Sequence, residues 1–200
     1  EMIPMVPLEK RYDDPVYEPF WAAAQDLQMP LSLHLGTLRS SAAVSNDEIK
    51  NDPVMQVSIE APLKVSLSAM IFGGVFERYP KLMVGVVEFE LSWIPFFLRN
   101  MDHIYNQRTA GIQGRRFKND MLPSDFFRQN TFVSFQEDDL GIKIRDYIGV
   151  HGLMWGSDYP HQEGTYPKSR EIVDRILQDV SEQEKIMITG ENASRLYGFE

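Results

Sequence analysis

Apolar and polar positions along the chain switch repeatedly between a helical period and short β-type runs. After Asp14-Pro15, an N-cap and first-turn pair, Tyr17, Phe20, Trp21, Ala24 and Leu27 recur at helical spacing and predict an amphipathic helix that Pro30 stops. Leu31 to Leu35 is a brief apolar run ending in Gly36, which predicts a buried parallel strand with His34 near its C-terminal end. Asp52-Pro53 opens another helical stretch. Pro62 is expected to break it before Leu63, Leu67, Met70 and Ile71 resume the spacing.

Leu82 to Phe89 is the clearest strand, closing on Glu88 and Glu90, and a helix with Ile94, Phe97, Leu98, Met101, Ile104 and Tyr105 on one face follows it. Ser124 and Asp125 predict a cap before a short helix, and Thr131 to Phe135 reads as a strand. Leu140, Ile144, Tyr147 and Ile148 predict a helix closed by Gly149. Leu153 to Ser157 is the last strand and delivers Asp158. The tail is helical over Ser169 to Leu177, from the capping box Ser181 to Glu184, and over Glu191 to Tyr197.

Counting Ile3 to Val6 as a strand remnant, five strands alternate with helical sequence, the pattern of a parallel sheet with crossover helices. The fold class is therefore α/β. At about 40 residues per unit, a closed eight-unit barrel would need about 320 residues. The chain, which starts at Glu1 and reads as beginning inside a fold, corresponds to about the last five units of a TIM-type (β/α)8 barrel. With no repeat, low-complexity tract or Gly/Ser linker, residues 1–200 are read as one domain.

Composition narrows the function classes. The absence of cysteine excludes a disulfide framework and any thiolate metal site, and fits a cytoplasmic protein. A net charge of −9 would repel a phosphate backbone, so nucleic acid is not expected as a partner. Arg115, Arg116 and Lys118 read as a solvated loop. No apolar run approaches a membrane span and no signal-peptide h-region is found, so no membrane partner is expected either.

His34, Glu88 and Asp158 all fall at the C-terminal ends of predicted strands, the edge where parallel β/α folds build their sites. Imidazole and carboxylate are ligand types that suit zinc and similar ions. Each also has a structural reading. His34 could be a buried histidine satisfied by a backbone carbonyl, and Asp158 a turn cap. Glu88 is harder to explain so, because an unpaired carboxylate in an apolar strand costs several kcal/mol. His161, three residues past Asp158, is placed either against substrate or in a surface loop. His103 and His151 are taken as structural, and Ser157 has no histidine partner that would support serine catalysis.

Trp155-Gly-Ser-Asp-Tyr-Pro-His161, Leu33-His34-Leu35-Gly36, the stretch from Trp93 to Asp102 and the closing Glu191-Asn-Ala-Ser-Arg-Leu-Tyr197 resemble the amidohydrolase-2 family. That family includes aminocarboxymuconate semialdehyde decarboxylases and related metal-dependent hydrolases. The resemblance implies that His34 and Asp158 are metal ligands at the ends of the fifth and eighth barrel strands. Two features depart from the pattern: the His-x-His pair of the first strand is absent from this chain, and Glu88 stands where many members carry a histidine.

The resulting expectation is a metal-dependent hydrolase acting on a small organic acid, ester, lactone or amide. Its cofactor would be a divalent metal, zinc, held by His34 and Asp158. Asp158 and Glu88 would be catalytic, and His161 would contact substrate. The alternatives are a non-oxidative decarboxylase of the same family and an inactive truncated half-barrel. An open sheet would leave apolar surface wet, so the chain is expected to form a homo-oligomer.

Overall fold

The computed structural model describes residues 1–7, 9–37, 52–108 and 116–199. Five strands are present: β1 Met2–Ile3, β2 Leu31–His34, β3 Val84–Val87, β4 Thr131–Phe135 and β5 Leu153–Trp155. They form one parallel sheet in the order β1-β2-β3-β4-β5. Each connection carries helical structure, as parallel pairing requires. In chain order the helices are α1 Glu18–Asp26, α2 Pro53–Gln56, α3 Glu60–Phe72, α4 Val75–Arg78, α5 Ile94–Arg108, α6 Pro123–Asn130, α7 Asp139–Lys143, α8 Arg145–Ile148, α9 Ser169–Ile176, α10 Glu182–Ile186 and α11 Asn192–Tyr197.

Strand alternation assigns the two faces. Leu31, Leu33, Val84, Val86, Val133, Phe135 and Leu153 are buried in one cluster with Leu63, Leu67 and Met70 of α3, Ile94, Leu98 and Met101 of α5, and Phe126 and Phe127 of α6. The alternate residues, Ser32, His34, Gly85, Val87, Phe132 and Ser134, belong to the other face. Phe132 lies across Gly85 there, so close that a Cβ on Gly85 would sit 2.3 Å from the Phe132 ring. Glycine is needed at that point to let the ring lie down on the sheet.

Several local expectations change for identifiable reasons. The strand ends are shorter than the apolar runs: β3 stops at Val87 because Glu88 and Glu90 take left-handed backbone angles (φ 66° and 54°), which cannot continue a strand. Pro62 does not break a helix but sits in the first turn of α3, where its missing N–H has no partner to lose. Ser124 does not cap α6; Leu122 is the N-cap residue and the Asp125 carboxylate accepts its N–H at 2.9 Å. The helix expected from Leu140 to Ile148 is divided into α7 and α8 at Ile144. Against the expectation for apolar runs, residues 53–72 are long and apolar enough to count as a possible membrane span; Leu63, Leu67, Met70 and Ile71 of that stretch face the core. Of the basic cluster, Arg115 lies outside the described residues. The Arg116 guanidinium lies 4.7 Å from the Tyr105 ring centroid, and the Lys118 N–H donates to Glu77.

The C-terminal helices are one continuous run. Ser181 caps α10, a π turn at Met187–Glu191 follows, and α11 completes it. Asn192 locks this run to the sheet: fully buried, it donates to the Val150 and Leu153 carbonyls at 2.9 and 2.8 Å and accepts from Arg195. Replacing it with alanine removes both bonds; the Val150 carbonyl keeps the Leu153 N–H, but the buried Leu153 carbonyl loses its side-chain donor, so Asn192→Ala is expected to lower unfolding free energy by about 1–3 kcal/mol in urea titration. A change of only a few tenths would show that the helix and β5 are not coupled through this residue.

Candidate active site

The C-terminal ends of β2, β3 and β5 open on one cleft of about 580 Å³, whose lining includes Leu35, Glu88, Phe89, Glu90, Asp158 and His161. In-register pairing of His34 with Val87 sets the first two site residues side by side, and Nδ1 of His34 lies 3.4 Å from Oε2 of Glu88. The Glu88 carboxyl is in turn hydrogen-bonded to Asp158, and Asp158 Oδ2 lies 3.3 Å from Nδ1 of His161. All four candidate residues thus belong to one chain of contacts. His103 and His151 do not take part: both are exposed, and His151 lines a separate cleft at the opposite edge that contains no carboxylate.

Local backbone aims these groups. Glu88, Glu90 and Asp158 all have positive φ, between 53° and 66°, a region that costs side-chain-bearing residues about 1–2 kcal/mol each. The loop after β4 holds the bend in place. Asp138, 8% exposed, accepts the N–H groups of Leu91 and Ser92 at 2.8 and 2.7 Å, the Ser92 hydroxyl at 2.5 Å and the Gly141 N–H at 2.6 Å. Gly141 approaches so closely that a Cβ on it would lie 2.4 Å from Cβ of Leu91. The Glu90 carboxylate reaches the N–H groups of Gln136 and Glu137 at 3.4 Å. Sequence reasoning missed Asp138; its only signal was an aspartate just past a strand, which ordinarily reads as a helix cap.

His34 Nδ1 is 2.6 Å from the Leu35 carbonyl oxygen. A carbonyl can only accept, so Nδ1 carries the proton and, in the neutral ring, Nε2 keeps its lone pair for another partner. The satisfied-histidine reading and the ligand reading are therefore both compatible with the ring, through different nitrogens. Backbone support of the far nitrogen is also the usual arrangement behind a metal-ligating histidine.

Burial pushes the Glu88 carboxyl above its ordinary range, its hydrogen bond with Asp158 adds to this, and His34 partly offsets it. Burial likewise raises Glu90, with the Gln136 and Glu137 N–H groups working against it. Two touching carboxyls must share a proton or be neutralised by a cation. One imidazole and two carboxyls, without a thiol, are the donor chemistry of a zinc or manganese site. Among the described residues, however, no three His, Asp or Glu side chains surround a common point. His34, Glu88 and Asp158 thus fit part of a coordination shell.

Parallel β/α units with polar groups converging at the C-terminal strand ends are the arrangement in which TIM-type barrels build their active sites. Residues 2–199 match the amidohydrolase family, Amidohydro_2, and the chain belongs to it. 2-Amino-3-carboxymuconate-6-semialdehyde decarboxylase of Dictyostelium discoideum is 26% identical over 145 residues, 72% of this chain and 39% of that protein. An amidohydrolase structure from Mycobacterium avium subsp. paratuberculosis K-10 is 25% identical, with a TM-score of 0.77 over 98% of this chain and 50% of its own. The structure of 5-carboxyvanillate decarboxylase from Novosphingobium aromaticivorans DSM 12444, complexed with manganese and 4-hydroxy-3-methoxy-5-nitrobenzoic acid, is 20% identical. Its TM-score is 0.72, covering 99% of this chain and 56% of its own. The architecture is five adjacent β/α units of a TIM-type barrel, and the chain spans roughly 40–60% of the length of these relatives.

The raised Glu90 carboxyl has a pH signature. A carboxyl with a native pKa above its unfolded value near 4.5 favours the folded state when protonated, and that contribution is lost as pH rises through the raised value. Melting of the protein in chelator should therefore show stability falling as pH climbs from about 4.5, with a shallower fall in Glu90→Gln. An identical slope in the variant would mean that the carboxyl is fully solvated.

Proposed function

We propose that this chain carries part of the active site of a metal-dependent decarboxylase acting on a small organic acid. The observation that carries the reading is the contact chain His34–Glu88–Asp158 at the C-terminal mouth of a parallel sheet. Hydrolysis is the second reaction this family suggests, but two of the relatives above are decarboxylases, which favours carbon–carbon cleavage over the hydrolase expectation.

His34, through Nε2, and Asp158 would hold a divalent cation. When bound, that cation supplies positive charge that draws electron density from the substrate's oxygens. Glu88 keeps its proton to higher pH because it is buried beside Asp158, which suits it to donate. As the bond to the carboxylate breaks, its electron pair stays on carbon, carbon dioxide leaves, and the Glu88 proton adds to that carbon. His161, against Asp158, would orient the acid or contact substrate. Loss of the Glu88 proton at higher pH would slow this step. Carbon dioxide released from an aromatic or unsaturated acid tests the reaction class; product carrying an added water and no lost carbon would instead establish a hydrolase.

We also propose self-association, supported by exposed apolar residues Val54, Val57, Val65 and Phe96 on α2, α3, their connection and α5. Sedimentation giving only a 23.1 kDa species would oppose it.

For the metal, Asp158→Ala should weaken binding of manganese or zinc more than Glu88→Ala does, by roughly 10–100-fold if a ligand is lost. Calorimetric titration of both variants checks the order, and the reverse order would make Glu88 the principal ligand.

A further inference from the structure

Past Asp158, one ring of an aromatic pair that the proposed chemistry does not use lines the cleft and the other packs behind it. Tyr159 and Tyr166 pack edge to face, with ring centroids 5.1 Å apart and planes at 72°. Yet both are largely exposed, at 66% and 67%, and neither hydroxyl has a hydrogen-bond partner among the described residues. Tyr166 lines the same cleft as Glu88 and Asp158. Large rings kept wet beside polar groups are the usual makings of a ligand contact.

This pair is not on a loose loop. The His161 N–H donates to the Asp158 carbonyl at 2.8 Å, the Thr165 N–H to Ser157 at 2.9 Å, and the Lys168 N–H to Thr165 at 2.8 Å. Thr165, 6% exposed, also pairs its hydroxyl with Ser169 at 2.8 Å, at the start of α9. Gly164 lies so close to the Asp158 and Ser157 carbonyls that a Cβ on it would come within 2.8 and 2.9 Å of their oxygens. The segment carrying Tyr166 is thus tied to the backbone of Ser157, beside Asp158, and Tyr159 packs against its ring. A rigid aromatic surface at a fixed offset from the reacting groups loses little entropy when it meets a ligand.

We propose that Tyr166, braced by Tyr159, is a specificity-determining residue that receives the planar ring of an aromatic carboxylic acid while the acid group lies toward Glu88 and Asp158. The inference deepens the decarboxylase reading and rests on it for the location of the reacting groups. It differs in what it requires: a preference for a flat π-bearing ring over a saturated ring of the same size, set by Tyr166.

Benzoate and cyclohexanecarboxylate share a six-membered ring and a carboxylate, so their binding constants isolate the ring. Titration by calorimetry, in saturating manganese and separately in chelator, is expected to show benzoate tighter by about five- to tenfold. Tyr166→Leu should bring the ratio within about twofold, and Tyr166→Phe should retain it. A ratio near one in the unsubstituted protein, no measurable benzoate binding, or a ratio unchanged in Tyr166→Leu overturns the proposal. If Tyr166→Leu fails to fold, nuclear Overhauser contacts between bound benzoate and labelled tyrosine rings decide it on the unsubstituted protein. Their presence supports the platform and their absence overturns it. Manganese binding without ring preference would leave the metal reading standing while this inference falls; ring preference without manganese binding would do the opposite.

Discussion

In-register parallel pairing of β2, β3, β4 and β5 is the constraint on which the site depends. His34 pairs with Val87, Val86 with Val133, and Phe135 with Trp155, so the strands end at nearly one level. Residues far apart in sequence then emerge together from one edge of the sheet. Because side chains alternate with a period of two, a slip of one residue would turn His34 into the helix-facing core and Leu33 out of it. Burial of Leu31, Leu33, Val84 and Val86 under α3 and α5 forbids that slip, and the packing on one face thereby positions chemistry at the end of the other.

Beyond the strand ends, geometry is held by groups that do no chemistry themselves. Three left-handed residues, Glu88, Glu90 and Asp158, are costly conformations that persist only when neighbours over-determine them. Asp138 provides this for the bend after β3 by satisfying four donors at once, and the Gly164 turn provides it for the segment after β5. The strain therefore lies where carboxyls must be turned toward one another, against their mutual repulsion.

That repulsion is also the functional content of the site. Glu88 and Asp158 in contact form an arrangement that holds a proton tightly or calls for a cation. Membership in the amidohydrolase family accounts for the second possibility, and the raised Glu88 carboxyl for the first. Both are what the decarboxylation proposed above would use.

The alternation of short apolar runs with helical spacing was enough to show five parallel β/α units, and the polar residues closing three runs were enough to nominate His34, Glu88 and Asp158. Both rest on local periodicity and burial, which are written along the chain. Pro62 and Ser124 misled because a helix's first turn tolerates what its interior does not, and the tertiary surroundings choose where that turn lies. The tautomer of His34, the contact of Glu88 with Asp158, the clamp made by Asp138 and the braced ring of Tyr166 were not legible. Each is a meeting of groups from different strands or loops, at distances of a few ångströms. Sequence determined which chemical groups this protein possesses and on which elements they ride; only the register and the loop packing decided which of them touch.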